Sequence, residues 1–232
     1  MQSADSFNGQ RAGAKWGHAA ILLVLATARL AFALVVSARP ELAIANDSDR
    51  YIPIANAILG GTAYQWTTAH PGELLNTIGY PLFLAGTFAV IGSSAVAIAL
   101  AQLLLSGTVV ICLYVLLAPR IGSRATFPAM ILLLVDPLTA LWSMTILTEA
   151  LFAAALGLSA GFLAAWTHDR KGALLVASGL FAALACLVKP FAILVTGIIV
   201  AGLVLSPGGA TSPWWKRGMK GLGQAIVFAV PV

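Results

Sequence analysis

The densest group of chemically active side chains in this chain is the stretch Asn46-Asp47-Ser48-Asp49-Arg50-Tyr51. It places three charged residues within four positions, whereas only 9% of all residues are charged. Asp47 and Asp49 are two residues apart, so both carboxylates point the same way if the segment is extended. Two such carboxylates can share a proton, act as a general base or bind a divalent cation such as Mg²⁺ or Mn²⁺. This stretch is therefore our first candidate for a catalytic or metal-binding site.

Other polar residues stand in loops or at the ends of apolar runs. They are His70, Glu73, Asp136, Glu149 and Lys189. A carboxylate at a membrane–water boundary can act as a general base, and a lysine there can neutralise a phosphate. His70, taken alone, is typical of an ordinary loop histidine. We treat these five residues as candidate site residues, because the membrane spans predicted below place all of them on the same side of the membrane.

Each candidate also has a purely structural interpretation. One of the two aspartates, Asp47 or Asp49, would simply cap a helix. Glu149 would be the N-terminal acid that a helix dipole favours, and Lys189 would be a snorkelling lysine at a helix end. Asp136 would mark the end of a membrane span. The sequence leaves both interpretations open for every one of these positions.

The composition predicts the setting in which these residues lie. Sixty per cent of the residues are hydrophobic and the mean hydropathy is +0.95, which excludes an ordinary soluble globular domain. Several apolar runs approach the roughly 20 residues that cross a bilayer core. We therefore predict an all-α polytopic helical membrane protein with bound membrane lipids and no nucleic-acid partner. Cys112 and Cys186 fall inside apolar runs, which indicates buried packing residues.

Six to seven spans are predicted from the apolar runs. They cover residues 18–38, 95–118, 125–142, 149–166, 172–188 and 191–205, and a seventh begins near Leu222. Basic segments at 119–124, 168–171 and 214–220 alternate with these spans, so we expect them on the cytoplasmic side with the N-terminus. A charge at the depth of Arg29 costs about 2.5–3.5 kcal/mol against lipid, so Arg29 should face the bundle.

The segment 39–94 is predicted to form a large outer loop that follows a disordered cytoplasmic lead, residues 1–17, and the first span. Within the loop, apolar residues recur at helical spacing, which predicts a short interfacial helix ending at Gly60-Gly61. These residues are Tyr51, Ile54, Ala55, Ile58 and Leu59. Residues 80–92 are too few to span a bilayer and predict a partial or re-entrant helix on the outer side.

Several motifs, in this order, resemble those of C-fold (GT-C) glycosyltransferases. They are Asp47-Ser-Asp-Arg-Tyr51, Gly79-Tyr80-Pro81-Leu82-Phe83-Leu84-Ala85, Asp136-Pro137 with Leu147-Thr148-Glu149-Ala150-Leu151-Phe152, and Leu187-Val188-Lys189-Pro190. The similarity is to the N-terminal half of bacterial protein mannosyltransferase and lipid A aminoarabinose transferase relatives, over about residues 18–205. It implies a GT-C-like transmembrane domain over 18–232. Because such relatives continue further, the resemblance implies either a chain truncated at its C-terminus or a short relative.

The resemblance implies an enzyme that works on the outer face of a bacterial-type inner membrane. It would move a sugar from a polyprenyl-phosphate carrier to a hydroxyl of a lipid, glycan or protein. Asp47, or else Asp49, would be the general base, and Glu149 would orient the acceptor or support a cation. The remaining candidates would bind donor or acceptor, and they are Tyr51, His70, Tyr80 and Lys189.

A non-enzymatic membrane protein is the competing hypothesis. A transporter half, a lipid flippase component or an assembly subunit would use the same outer charges to pass an ion or a lipid headgroup. Charges that line such a path should recur at several depths, and here only Arg29 and Asp136 qualify. The large outer loop with its interfacial helix favours the enzyme.

Overall fold

The computed structural model describes residues 17, 20–25, 27–31, 34, 48–69, 78–136, 145–205 and 214–230. Every regular element in these ranges is an α-helix, as the composition predicts. The helices are α1 (Ala20–Ala31, over its described residues), α2 (Ser48–Leu59), α3 (Ala63–Ala69), α4 (Gly79–Val90), α5 (Ala95–Ile121), α6 (Ser123–Val135), α7 (Glu149–Asp169), α8 (Gly172–Val188), α9 (Ala192–Leu205) and α10 (Trp214–Ala229).

Two of these helices, α5 and α7, are long and apolar enough to cross a membrane. With 27 and 21 residues, they are about 40 Å and 32 Å long at 1.5 Å per residue. Helices α1, α4, α6 and α8 and most of α9 are also apolar but shorter. The all-helical, strongly apolar character is thus confirmed for the described residues, whereas the number of spans stays a prediction.

The basic segments 119–124 and 214–220 differ from the predicted loops. Helix α5 continues through Pro119 to Ile121, and α6 begins at Ser123, so a single residue, Gly122, makes the turn. Gly122 has φ +88°, a conformation that glycine adopts without a steric penalty. Residues 214–220 form the start of α10, which therefore begins before the predicted Leu222.

The centre of the bundle is the packing of α5, α7 and α8. Helices α7 and α8 form an antiparallel hairpin, with Arg170 in the left-handed region at the turn, φ 55°. At their contact the buried Ser178 Oγ donates a hydrogen bond to the Ser159 carbonyl, 2.7 Å away. A side chain on Gly161 would collide with Leu113 of α5. Gly161 therefore permits the close packing of α7 on α5, whereas a side chain at Gly157 would meet nothing within 4 Å.

Two polar contacts define opposite ends of the bundle. Arg120 Nη2 lies 2.6 Å from Asp169 Oδ2 and joins the C-terminal ends of α5 and α7. These helices therefore run in the same direction, and α8 returns antiparallel to bring Lys189 beside Glu149. The predicted inner segments 119–124 and 168–171 share one end, and Glu149 and Lys189 share the other.

A small apolar lobe, formed by α2, α4 and the start of α5, adjoins the Glu149–Lys189 end. Helices α4 and α5 are joined by a tight turn, in which Ser94 Oγ caps α5 by accepting from the Ala97 amide at 3.1 Å. Helix α2 packs on α4 and buries Ala55 completely, whereas Leu59 is 48% exposed beside the helix end at Gly60. The predicted apolar face of α2 is therefore covered by α4 at Ala55 but not at Leu59.

Candidate functional site

An ion pair between Glu149 and Lys189 is the main polar feature at this end of the described bundle. Glu149 is the first residue of α7, and Lys189 directly follows the last residue of α8. Lys189 Nζ lies 2.6 Å from Glu149 Oε1, a distance typical of a charge-assisted hydrogen bond. The two side chains are 23% and 29% exposed, so the pair is partly buried but remains open to a ligand.

Two aromatic rings flank the lysine of this pair. Lys189 Nζ is 5.8 Å from the ring centroid of Phe152 and 5.9 Å from that of Phe191. At such distances a ring face attracts a cation, an interaction that strengthens with desolvation. The carboxylate and the two rings together hold the ammonium group at a defined position at the end of α8.

A buried chain of hydrogen bonds holds the segment that precedes Glu149 in place. Tyr80 OH donates to Gln102 Oε1 at 2.9 Å, and Gln102 Nε2 donates to the Thr145 carbonyl at 2.9 Å. Tyr80 and Gln102 are both 0% exposed. Burial, and to a lesser degree the nearby Tyr51 and Glu149, raises the pKa of Tyr80, so its hydroxyl stays protonated and donates. The chain ties α4 and α5 to the segment 145–148 that leads into Glu149.

The start of α4 lies directly against the end of α8. A side chain at Gly79 would place its Cβ 2.6 Å from the Leu187 carbonyl oxygen and 2.9 Å from the Val188 nitrogen. Both contacts are with backbone, which cannot swing aside as a long side chain can. Only glycine therefore permits this approach, which sets the adjacent Tyr80 close to the residues that precede Lys189.

The structure brings together several of the predicted site residues. Glu149 and Lys189 are in direct contact, and the rings of Tyr51 and Tyr80 meet edge to face with centroids 5.2 Å apart. Tyr80 is fully buried, which places its hydroxyl on Gln102 and not on an open surface. The predicted base Asp47 and the predicted ligand-binding residue His70 lie outside the described residues.

Asp49 lies in the first turn of α2, which begins at Ser48. The extended geometry that would align it with Asp47 therefore does not hold from Ser48 onward. Gln102 is a site residue that the sequence reasoning missed. Its signal was a single amide inside the apolar run 95–118, where a polar side chain needs a partner.

The described residues do not form a metal site. Within the described ranges, no group of three or more His, Cys, Asp or Glu side chains has the proximity that a metal ion requires. Glu149 lies at this end, but its Oε1 is bonded to Lys189. Cation binding by Asp47 and Asp49, with support from Glu149, stays a prediction.

Comparison with known proteins identifies the family to which this arrangement belongs. The family model for dolichyl-phosphate-mannose-protein mannosyltransferase matches residues 70–232, more than two thirds of the chain. No curated protein and no solved structure matches the chain. The matched region contains Tyr80, Gln102, Glu149 and Lys189 but begins after the Asp47–Tyr51 stretch. The chain therefore belongs to the dolichyl-phosphate-mannose-protein mannosyltransferase family, a family of membrane glycosyltransferases.

Proposed function

We propose that this protein transfers a sugar from a polyprenyl-phosphate carrier to a hydroxyl group of a lipid, glycan or protein. The reaction takes place on the outer face of a bacterial-type inner membrane, with the N-terminus in the cytoplasm. The observation that carries the proposal is the partly exposed Glu149–Lys189 pair at the bundle end opposite Arg120 and Asp169. Membership in a glycosyltransferase family favours this function over transport or lipid scrambling.

The donor is an amphiphile, so its two parts need different surroundings. Its isoprenoid chain lies between apolar helices, and its phosphate stays at the membrane–water boundary. Lys189 is suited to that phosphate because its ammonium group is restrained beside Phe152 and Phe191 and its side chain is about a quarter exposed. A lysine in this position offsets the negative charge that grows on the phosphate as the sugar leaves.

The transfer itself is a substitution at the anomeric carbon. The acceptor hydroxyl oxygen attacks that carbon from the side opposite the phosphate, and a new carbon–oxygen bond forms. The bond from the anomeric carbon to the phosphate oxygen breaks, and its electron pair stays on the polyprenyl phosphate. The acceptor proton passes to the carboxylate of Asp47, or else of Asp49. The products are an inverted glycoside and the free carrier phosphate.

Glu149 has two tasks in this scheme. While the site is empty of donor, its carboxylate holds the Lys189 ammonium at 2.6 Å. With donor phosphate bound, Lys189 Nζ still has other protons to donate, so Glu149 keeps its contact with the lysine and orients the acceptor molecule, whose single hydroxyl proton goes to Asp47 or Asp49. Tyr80 and Gln102 act as positioning residues through the hydrogen bond to Thr145.

A transfer assay with the three carboxylate variants tests the proposal. Purified protein in bilayers would receive polyprenyl-phosphate sugar and a mixture of acceptors, and transferred sugar would be measured. We expect Asp47→Asn to lose about 100-fold or more of the rate, the usual contribution of a positioned base. We expect Glu149→Gln to lose about tenfold. Asp5→Asn, in the predicted cytoplasmic lead, is the matched control. Wild-type rates in Asp47→Asn, Asp49→Asn and Glu149→Gln alike would refute the catalytic roles.

A further inference from the structure

A cavity of about 130 Å³ lies between α1, α5, α6 and α7 and extends from Glu149 to Gly157. These two residues are eight positions apart on α7, so the cavity is about 12 Å deep at 1.5 Å per residue. Glu149 lines one end and is partly exposed, so the cavity meets the aqueous phase at this residue. A water molecule needs about 10–15 Å³ of such space, and the cavity therefore has room for several.

Arg29 faces the interior of the bundle, as predicted, and lines this cavity with only 7% of its surface exposed. Its Nη1 donates to the Leu133 carbonyl at 3.3 Å. Its Nε and Nη2 are buried and find no hydrogen-bond partner in the described part of the chain. Burying such donors is costly unless an acceptor replaces the water that they lose. The free edge of Arg29 therefore requires an acceptor inside the cavity.

The charges around Arg29 indicate that this acceptor is a neutral molecule. Asp136 attracts Arg29 electrostatically, and Glu149 lines the same cavity. The positive charges of Arg29 and Lys189 balance these two carboxylates, so no further ion is required. Charged residues inside a membrane protein characteristically pair with one another or face a water-filled space. Water is thus the acceptor that the charges favour.

Two further polar groups provide the partners that such water needs. Ser106 Oγ donates to a backbone carbonyl of its own helix at 2.9 Å and keeps its lone pairs to accept. Glu149 is bonded to the lysine through Oε1, and its Oε2 accepts a long hydrogen bond of 3.4 Å from Thr148 Oγ1. Oε2 therefore has lone pairs left for water. A buried water molecule typically makes about three hydrogen bonds, and Arg29, Ser106 and Glu149 can supply them.

We propose that this cavity is filled with water and that the water connects the free edge of Arg29 to the Glu149 carboxylate, which makes Arg29 a positioning residue for Glu149. Lys189 then restrains one carboxylate oxygen, and Arg29 restrains the other. The positioning role rests on the function proposed for Glu149, whereas the water content of the cavity does not. Substitution of Arg29 should therefore weaken sugar transfer only through Glu149.

Labelling of substituted cysteines tests the water content. The protein carries Cys112→Ala and Cys186→Ala, is reconstituted in lipid vesicles and receives the small uncharged reagent hydroxyethyl methanethiosulfonate. This reagent reacts with thiolates, and apolar surroundings keep a thiol from ionising. Gly157→Cys places the thiol at the deep end of the cavity, where a side chain meets nothing within 4 Å. Gly197→Cys is the matched control, with equally open surroundings among the exposed apolar residues of α9.

We expect Gly157→Cys to react about tenfold or more faster than Gly197→Cys, because its thiol can ionise in water. Equal labelling rates would show that the cavity is dry and would overturn the inference. The labelling needs no sugar donor, so its result does not depend on whether the protein transfers sugar.

Transfer rates of Arg29→Gln, Glu149→Gln and the double variant test the positioning role. We expect Arg29→Gln to lose about fivefold of the rate, as for one water-mediated hydrogen bond. The double variant should be about as slow as Glu149→Gln alone, because Arg29 acts through that carboxylate. Arg29→Lys should restore a rate close to the wild type, since a lysine also donates to water. Arg124→Gln removes the same charge from an exposed position at the start of α6 and should transfer sugar at the wild-type rate.

Losses that multiply in the double variant would overturn the positioning role, and so would an Arg29→Lys variant as slow as Arg29→Gln. A wild type that transfers no sugar would refute the proposed function and the positioning role with it. Fast labelling of Gly157→Cys in that same protein would still support the water-filled cavity.

Discussion

At the scale of single residues, the site combines an open ion pair with a closed hydrogen-bond chain. Glu149 and Lys189 are partly exposed and can exchange partners when a charged ligand arrives. Tyr80 and Gln102 are fully buried, where an unsatisfied polar group is costly. The Glu149–Lys189 pair is therefore suited to contact substrate, and the Tyr80–Gln102 pair is suited to hold the backbone before Glu149 in position.

The buried pair gives a prediction on stability. Gln102→Leu should lower the free energy of unfolding by about 1–3 kcal/mol, because it leaves the buried Tyr80 hydroxyl without its acceptor. It also removes one hydrogen bond from the Thr145 carbonyl, which keeps the one from the Leu147 amide. Tyr80→Phe should cost about 1 kcal/mol. The double variant should cost less than the sum, since both partners of one bond are then removed together. Thermal or denaturant unfolding in detergent measures all three values, and strictly additive losses would contradict the hydrogen bond.

Loop charges predicted that Glu149 and Lys189 share one side of the membrane, and the structure places them at one end of the bundle. Their direct contact could not be predicted, because it depends on which faces α7 and α8 turn toward each other. The buried Ser159–Ser178 contact and the close packing at Gly161 set that rotation. The hydrogen-bond partner of Tyr80 could not be predicted either. Gln102 is 22 residues away in sequence, and only the turn between α4 and α5 brings the two side chains together.

At the scale of elements, the close approach of α4 to the end of α8 brings Tyr80 near the ion pair. Gly79→Ala should destabilise the protein by about 1–3 kcal/mol, because the new Cβ would lie 2.6 Å from the Leu187 carbonyl oxygen. Gly86→Ala is the matched control in the same helix. A side chain there meets nothing within 4 Å, so it should leave stability unchanged or raise it by up to about 1 kcal/mol.

Thermal unfolding of the two variants side by side checks this contact. Equal effects of Gly79→Ala and Gly86→Ala would show that α4 does not touch the end of α8. Sugar transfer should also fall in Gly79→Ala, because Tyr80 and Gln102 would lose their register with Thr145. Gly86→Ala should transfer sugar at the wild-type rate.

Helix positions were predicted best where an apolar run has polar residues at both ends. The run 172–188 coincides with α8, and the start of α7 coincides with Glu149. The segment 119–124 is mostly helical and not the predicted loop, because Pro119 and Arg120 form a pattern that is typical of a helix end but lie within α5. One missing amide hydrogen bond near the end of a 27-residue helix is tolerated, and Gly122 is the residue that ends it.

At the scale of the whole molecule, the proposal requires a definite orientation in the membrane. Ser93 lies in the turn between α4 and α5, and Lys171 lies between α7 and α8 at the Arg120–Asp169 end. In a background with Cys112→Ala and Cys186→Ala, we expect a membrane-impermeant maleimide to label Ser93→Cys in intact cells. Lys171→Cys should be labelled only after the membrane is opened. The reverse pattern would place the ion pair in the cytoplasm and rule out an outer-face reaction.

The central claim is that the Glu149–Lys189 end receives the phosphate of a lipid-linked sugar. The most direct measurement compares the rate of sugar transfer against donor concentration for the wild type, Lys189→Gln and Lys171→Gln. Lys171 is a largely exposed lysine at the opposite end, with 73% of its side chain accessible. We predict that Lys189→Gln lowers kcat/KM for the donor about tenfold or more and that Lys171→Gln leaves it unchanged. Equal kcat/KM values in all three proteins, or no transfer by the wild type, would contradict the account.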